Sequence, residues 1–256
     1  MMTLFRYRDL IWTLVARDLK VRYRRSVLGF VWTMLQPLLT MMVFYLVFSS
    51  LFRFDVRNYP VYALAGILFW NFFQQSIIAS MNSLYGNAGI LKKVPVPMMV
   101  FPVATVISGI VNLLFALVPL FGLLLATEPR LISPALLFLP ISIVIAALFT
   151  LGAGLLLSPL AVFFHDVREL VGVGLTLLFY MTPCFYPLSI VEGRWFYFLF
   201  EYNPTRSILE VFRDPIYFAK IPPLVHLGVS MLVALIALAI GAWVFRRAAD
   251  RIPFYI

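Results

Sequence analysis

What most constrains this chain is the distance between its formal charges. About 34 consecutive residues between Arg57 and Lys92 carry no Asp, Glu, Lys or Arg, and runs of about that length separate Lys93 from Glu128 and Arg130 from Asp166. Uncharged runs of about 27, 22 and 25 residues lie between Arg25 and Arg53, Glu169 and Glu192, and Lys220 and Arg246. A transmembrane helix needs about 20 apolar residues at about 1.5 Å each, so each run is long enough to cross once. The chain is 63% apolar and 12% charged over 256 residues, against about 45–50% and about 25% in ordinary soluble domains. No soluble core of plausible size hides that surplus. Strict alternation at ten-residue spacing is missing, which excludes a membrane β-barrel.

The expectation is an all-α polytopic membrane protein, one transmembrane domain over residues 1–256. It has six transmembrane helices near 28–51, 59–80, 101–126, 135–163, 170–190 and 224–245, an amphipathic interface helix within 1–27 and a tail at 246–256. About 13 of the 20 Lys and Arg fall on the side that holds both termini and about 7 on the other, which places both termini in the cytoplasm. The net charge of +9 is scattered between apolar runs, so a nucleic-acid-binding surface is excluded. Arg and Lys recur up to Arg25 with no short apolar core and cleavage site, so no signal peptide is expected.

Catalytic and metal chemistry find no support. Cys184 is the single cysteine, which excludes an intramolecular disulfide and a cysteine-cluster metal site. His165 and His226 stand outside any zinc-ligand spacing. No GxxxxGK[ST] phosphate loop occurs, and the Gly152 and Gly154 pair lacks a third glycine and a preceding strand. No cofactor is expected on this chain, and any ATP must be held by another subunit.

Several segments carry more specific patterns. Tyr7, Leu10, Ile11, Leu14, Val15 and Leu19 recur at helical spacing opposite Arg6, Asp9, Thr13, Arg17, Lys20 and Arg24, an amphipathic helix suited to the headgroup layer. It is a topology anchor, a basic cluster of Arg17, Lys20, Arg22, Arg24 and Arg25 that gathers a lipid-linked phosphate, or both. Residues 82–97 predict a short surface helix broken by Gly86 and Gly89, with Lys92 and Lys93 toward the cytoplasm. Thr33, Gln36, Thr40 and Phe44 fall on one side of span one, and Asn71, Gln75 and Asn82 on one side of span two. An amide facing hydrocarbon costs several kcal/mol by rough estimate, so these residues face protein or water, as interhelical hydrogen bonds or as a conduit wall. Pro37 is expected to kink span one.

His165, Asp166, Arg168 and Glu169 form a charged turn, either a solvated cap or a partner contact. Aromatic residues crowd 179–202, as an interfacial belt or as sugar-stacking surfaces. Trp195 to Tyr202 are too few to cross and Asn203-Pro204 marks a helix start, which suggests re-entrant outer helices between spans five and six. The small-residue pairs Gly154–Ser158 and Ala237–Gly241 point to close helix packing.

The segments RDLKVRYRRSVLGFVWTMLQPLL (17–39), LKKVPVPMMVFPV (91–103), FFHDVRELVG (163–172), TPCFYP (182–187) and YNPTRSILEVFRDPI (202–216) occur in that order along nearly the whole chain. Together they resemble the membrane subunit of polysaccharide ABC exporters, which move O-antigens, capsular polysaccharides and teichoic acids. His165 departs from that pattern, where a basic residue, usually Arg, precedes the Asp. The resemblance implies a homodimeric permease of the bacterial cytoplasmic membrane, joined to two copies of a separate ATPase that holds ATP and Mg. It implies a cargo glycan on a polyprenyl pyrophosphate or other lipid, and a conduit between protomers lined by helices one and five. The lining candidates are Trp32, Thr33, Gln36, Thr40, Phe44, Tyr45, Phe48, Tyr180, Phe185 and Tyr186. The ATPase-coupling candidates are Gly86, Gly89, Ile90, Leu91, Lys92, Lys93, His165, Asp166, Arg168 and Glu169, and the outer-gate candidates Trp195, Tyr197, Tyr202, Asn203 and Pro204. A drug-efflux permease of the same superfamily, an ATP-independent channel or scaffold, and a membrane glycan-processing enzyme are the competing assignments. The last would need a carboxylate or histidine cluster that the dispersed charges do not supply.

Overall fold

The computed structural model describes residues 6–23, 29–48, 56–94 and 96–256. The helices are α1 (Arg8–Tyr23), α2 (Val31–Val47), α3 (Tyr59–Gly86), α4 (Ala88–Leu91), α5 (Val100–Thr127), α6 (Leu139–Phe163), α7 (Val167–Met181), α8 (Tyr197–Glu201), α9 (Pro204–Arg213) and α10 (Leu224–Ala249). No strand occurs among the described residues.

Among the described residues, four stretches are long and apolar enough to cross a membrane: Tyr59–Gly86, Val100–Thr127, Pro134–Phe163 and Leu224–Ala249. These fall on the second, third, fourth and sixth expected spans. The helices on the first and fifth are shorter. α2 has 17 residues and α7 has 15, about 26 and 22 Å of helix at 1.5 Å per residue. α7 stops at Met181 and not at 190 because Thr182 precedes a proline and is extended, at φ −104° and ψ 126°. In the other direction, α3 runs six residues beyond 80, so Asn82 belongs to a long helix and not to the connecting segment. Gly86 closes that helix as expected, whereas Gly89 sits inside α4 without breaking it. Pro37 lies within α2, buried.

α3 is the central post. In its apolar window 78% of residues are buried, against 17% in α10. Because lipid tails are as apolar as Leu, burial between membrane helices gains packing contacts and not water release, so small residues that let backbones touch decide which helices pair. Glycine supplies these approaches. A Cβ on Gly109 of α5 would stand 2.2 Å from Ser76 Oγ of α3, and one on Gly154 of α6 would stand 2.8 Å from Ser80 Oγ of α3. At the crossing of α6 and α10, a Cβ on Gly241 would meet the Gly152 carbonyl oxygen at 2.1 Å. The sequence pairs Gly154–Ser158 and Ala237–Gly241 lie at these crossings.

α1 follows the amphipathic pattern, but its apolar face meets protein. Ile11, Leu14 and Val15 are buried in a cluster with Leu84, Phe101, Leu155, Val162 and Phe245 from α3, α5, α6 and α10. The helix is therefore docked across the end of the bundle where those helices converge, with Trp12 and Val21 left exposed. At the opposite end, Arg57 donates two 3.1 Å hydrogen bonds to the Glu128 carboxylate, and Asn58, left-handed at φ 47°, donates to Thr127 Oγ1 at 2.8 Å. These contacts clasp the start of α3 to the end of α5.

Replacing Gly241 with Leu should destabilise the chain by about 1–3 kcal/mol or more, since the α6–α10 backbones must separate. In detergent this reads as a fall in Tm of about 5 °C. Gly228→Ala on the same helix, where a Cβ meets nothing within 4 Å, should leave Tm unchanged or slightly raised, since Ala favours a helix over Gly. Equal effects at the two positions would refute the close-contact account.

Candidate functional site

A cavity of about 830 Å³ opens between α1, α2, α3 and α5. Each element contributes polar residues at helical spacing: Thr33 and Gln36 from α2, Asn71, Gln75 and Asn82 from α3, and Ser108 and Asn112 from α5. Three polar stripes that would each face hydrocarbon alone are thereby turned toward a shared interior. Trp32 stands at the wall, 47% exposed. At the α1 side Arg17, Asp18 and Arg22 line the cavity. Arg22 Nη1 donates to Gln75 Oε1 at 3.2 Å, and Arg17 Nη1 donates to Asn87 Oδ1 at 2.7 Å while Nη2 pairs with Asp18 at 2.8 Å. The lining thus grades from two guanidinium groups, through amides and hydroxyls, to apolar wall.

The structure divides the expected basic and lining residues. Arg17 and Arg22 reach the cavity, Lys20 is exposed outside its lining, and Arg24 and Arg25 lie outside the described residues. Trp32, Thr33 and Gln36 line it. Thr40 instead donates to its own helix, at the Gln36 carbonyl, 3.0 Å. Phe44 and Phe48 pack on Phe185 with ring centroids 4.7 and 5.3 Å apart. Phe185 and Tyr186 are buried, because the chain after Met181 folds back into the bundle. Tyr45 and Tyr180 are exposed on the outer surface.

That fold-back is held by side chains that the sequence reading did not single out. Four successive carbonyls of residues 183–186 would be stranded without helix or sheet partners. Tyr59 donates to Phe185 O at 2.8 Å and Tyr62 to Tyr186 O at 2.9 Å. Arg213 Nη2 donates to Pro183 O and Cys184 O, both at 2.8 Å, and its guanidinium lies 3.9 Å from the Tyr62 ring centre. Gly66 admits the loop, since a Cβ there would be 2.1 Å from the Cys184 carbonyl oxygen. Arg213 in the stretch ILEVFRDPI, flanked by Phe212 and Pro215 but beside Asp214, was the available signal for this clamp.

Asn203 caps α9 as expected, accepting from the Thr205 N–H at 3.0 Å and donating to Met181 O and Thr182 Oγ1 at 3.1 and 3.0 Å. Pro204 opens that helix, and Trp195 and Tyr202 are more than four-fifths exposed. Tyr197 donates to the Glu201 carboxylate at 2.6 Å, and Arg206 pairs with the same group. The tyrosine hydroxyl first, and then the guanidinium, hold the Glu201 carboxyl below the usual carboxylate range.

The expected coupling residues form two segments that meet at the end of α3. Gly89, Lys92 and Lys93 are exposed on and after α4, with Ile90 and Leu91 half-buried against the apolar cluster that α1 covers. His165, Asp166 and Glu169 are exposed. Arg168 lies 4.6 Å over the Tyr85 ring, and Tyr85 donates to Val162 O at 3.1 Å. One side of the α3 terminus is thus fixed to the α6–α7 turn, and Asn87 fixes the other side to α1.

The family described as ABC-2 type transporter matches residues 9–217. Among characterised proteins, the chain is similar to the O-antigen export system permease protein RfbA of Myxococcus xanthus, 32% identical over 91% of this chain and 90% of that protein. It is similar to the protein of the same name from Klebsiella pneumoniae, 28% identical over 95% and 93%. The polysialic acid transport protein KpsM of Escherichia coli is 22% identical over 93% and 92%.

Cys184 is fully buried behind the clamp, so the chain's one thiol reports on it. In the parent protein it should resist a maleimide. Arg213→Met or Gly66→Val should speed labelling by about tenfold or more by opening the loop locally. A thiol that stays shielded in both variants would show that the clamp does not hold the loop.

Proposed function

The chain belongs to the ABC-2 type transporter family, and on that footing we propose that it is the permease of an exporter that moves a lipid-linked polysaccharide across the bacterial cytoplasmic membrane. ATP would be hydrolysed on a separate ABC ATPase. The observation that carries this is the graded cavity. A glycan attached to a lipid through phosphate carries hydroxyl-rich sugar rings on one side of an anionic linkage and a hydrocarbon chain on the other, and the cavity offers a surface of each kind. Guanidinium groups pair with phosphate, amides and hydroxyls exchange hydrogen bonds with sugar hydroxyls, and Trp32 offers a ring face for stacking. Relatives named for O-antigen export and polysialic acid transport support that cargo class.

In this account α2 and α7 supply the remaining two of six crossings. Both termini and α4 face the cytoplasm, and α8 and α9 re-enter from the outer side. Two copies of the chain pair across the exposed faces of α2 and α7, where Leu39, Met42 and Val43 and then Leu170, Val173, Leu177 and Tyr180 are exposed. Two ATPase copies dock at α4 and the 164–169 turn. ATP-driven displacement there advances the glycan, and the weak, repeated contacts of amides and aromatics let the polymer slide through many registers, where buried charges would hold it.

The test is ATP-dependent export by the chain and its ATPase reconstituted in vesicles. Changing Arg17 and Arg22 together to Gln should reduce export by about tenfold, the effect expected for losing charge-assisted contacts to phosphate, while the ATPase still co-purifies. Export at the parental rate in this variant would contradict the assignment of the cavity's basic end to the carrier.

A further inference from the structure

α3 and α4 are separated by one residue, and that residue has all its polar groups engaged. The Asn87 N–H closes α3 on the Leu84 carbonyl at 3.3 Å, and its own carbonyl opens α4 by accepting from Ile90 and Leu91 at 2.9 and 3.0 Å. Its side-chain Nδ2 donates to Ser83 O at 2.7 Å, and Oδ1 accepts from Arg17 Nη1 at 2.7 Å. The residue is 7% exposed, and it also lies at the end of the cavity. The terminus of α3 itself cannot follow α4 freely, because Tyr85 is tied to Val162 and covered by Arg168.

We infer that Asn87 is the joint through which a displacement of α4 reaches α1 and the cavity, with Arg17 as the transmitting partner. It rests on the reading of α4 as the ATPase-docking element, and goes beyond it by assigning the route. α4 has four residues, too few to hold its own direction, so its orientation is set at the junction. A rotation of α4 turns the Asn87 peptide and swings the amide. The amide is bonded to a guanidinium that Asp18 holds in place on α1, so the motion passes to the helix that carries Arg17 and Arg22 along the cavity wall. Asn87 is a positioning residue in this scheme.

The experiment places a single accessible thiol in the cavity by Ala79→Cys, a lining position, with buried Cys184 silent. The full complex with its ATPase in vesicles is labelled by a membrane-impermeant maleimide, nucleotide-free and vanadate-trapped. With Asn87 present the labelling rate should change at least about fivefold between the two states, the scale of a modest coupling between sites. In Asn87→Ala the two rates should agree within about 1.5-fold while ATP hydrolysis continues, and Asn87→Asp, which keeps an acceptor for Arg17, should retain at least half of the change. A nucleotide-dependent change that survives Asn87→Ala overturns the joint and leaves the proposed transporter function standing. Two variants that behave alike, including two that fail to assemble, also overturn it, since the acceptor at Asn87 would then not matter. Rates that are equal in the two states with Asn87 intact overturn the joint and the ATP-driven account together.

Discussion

A chain that spans hydrocarbon has no water to satisfy its polar groups, and the rest of this structure follows from where those groups find partners. Helices satisfy their own backbones, so the long apolar runs need only pack. They do so through glycines against the serines of α3 and against each other. The polar side chains of α2, α3 and α5 gather around one cavity. A stretch of irregular backbone inside the bundle, residues 183–186, survives because Tyr59, Tyr62 and Arg213 receive its carbonyls. A buried guanidinium without a carboxylate partner is costly. The carbonyl dipoles and the Tyr62 ring face offset that cost and fix the loop in a single position.

The same constraint separates the two ends of the molecule by task. At the end where α1 docks, the α3 terminus is held on one side by Tyr85 and on the other by Asn87, with α4 projecting between them. At the other end, the Arg57–Glu128 pair and the Arg213 clamp hold the helices and loops together. The cavity lies toward the first end, between the basic residues of α1 and the amides of α3. Under the proposed function this asymmetry would put movement where energy enters and a defined closure where cargo leaves.

Much of this was legible in the sequence, and the parts that were not share a cause. The four long apolar helices, the Asn203 cap, the Gly154 and Gly241 contacts and the inward stripe of Gln36, Asn71, Gln75 and Asn82 all depend on local periodicity or composition, which a sequence displays directly. The burial of Phe185 and Tyr186 does not, because it depends on Gly66 and Tyr62 about 120 residues earlier. Asn87 was passed over beside two glycines and two lysines because its significance lies in Arg17, 70 residues away. The apolar face of α1 was visible as a face, but periodicity alone does not say whether lipid or protein covers it, and here α3, α5, α6 and α10 do.

The central claim is that the cavity between α1, α2, α3 and α5 receives the head of the lipid-linked cargo. It is tested most directly by an experimental density map of the complex, trapped with a hydrolysis-deficient ATPase and saturated with a polyprenyl-pyrophosphate-linked oligosaccharide. The account predicts pyrophosphate density beside Arg17 and Arg22, with the first sugars against Gln36, Asn71 and Gln75. Cargo density elsewhere, with this cavity filled by ordinary lipid tails, would contradict it.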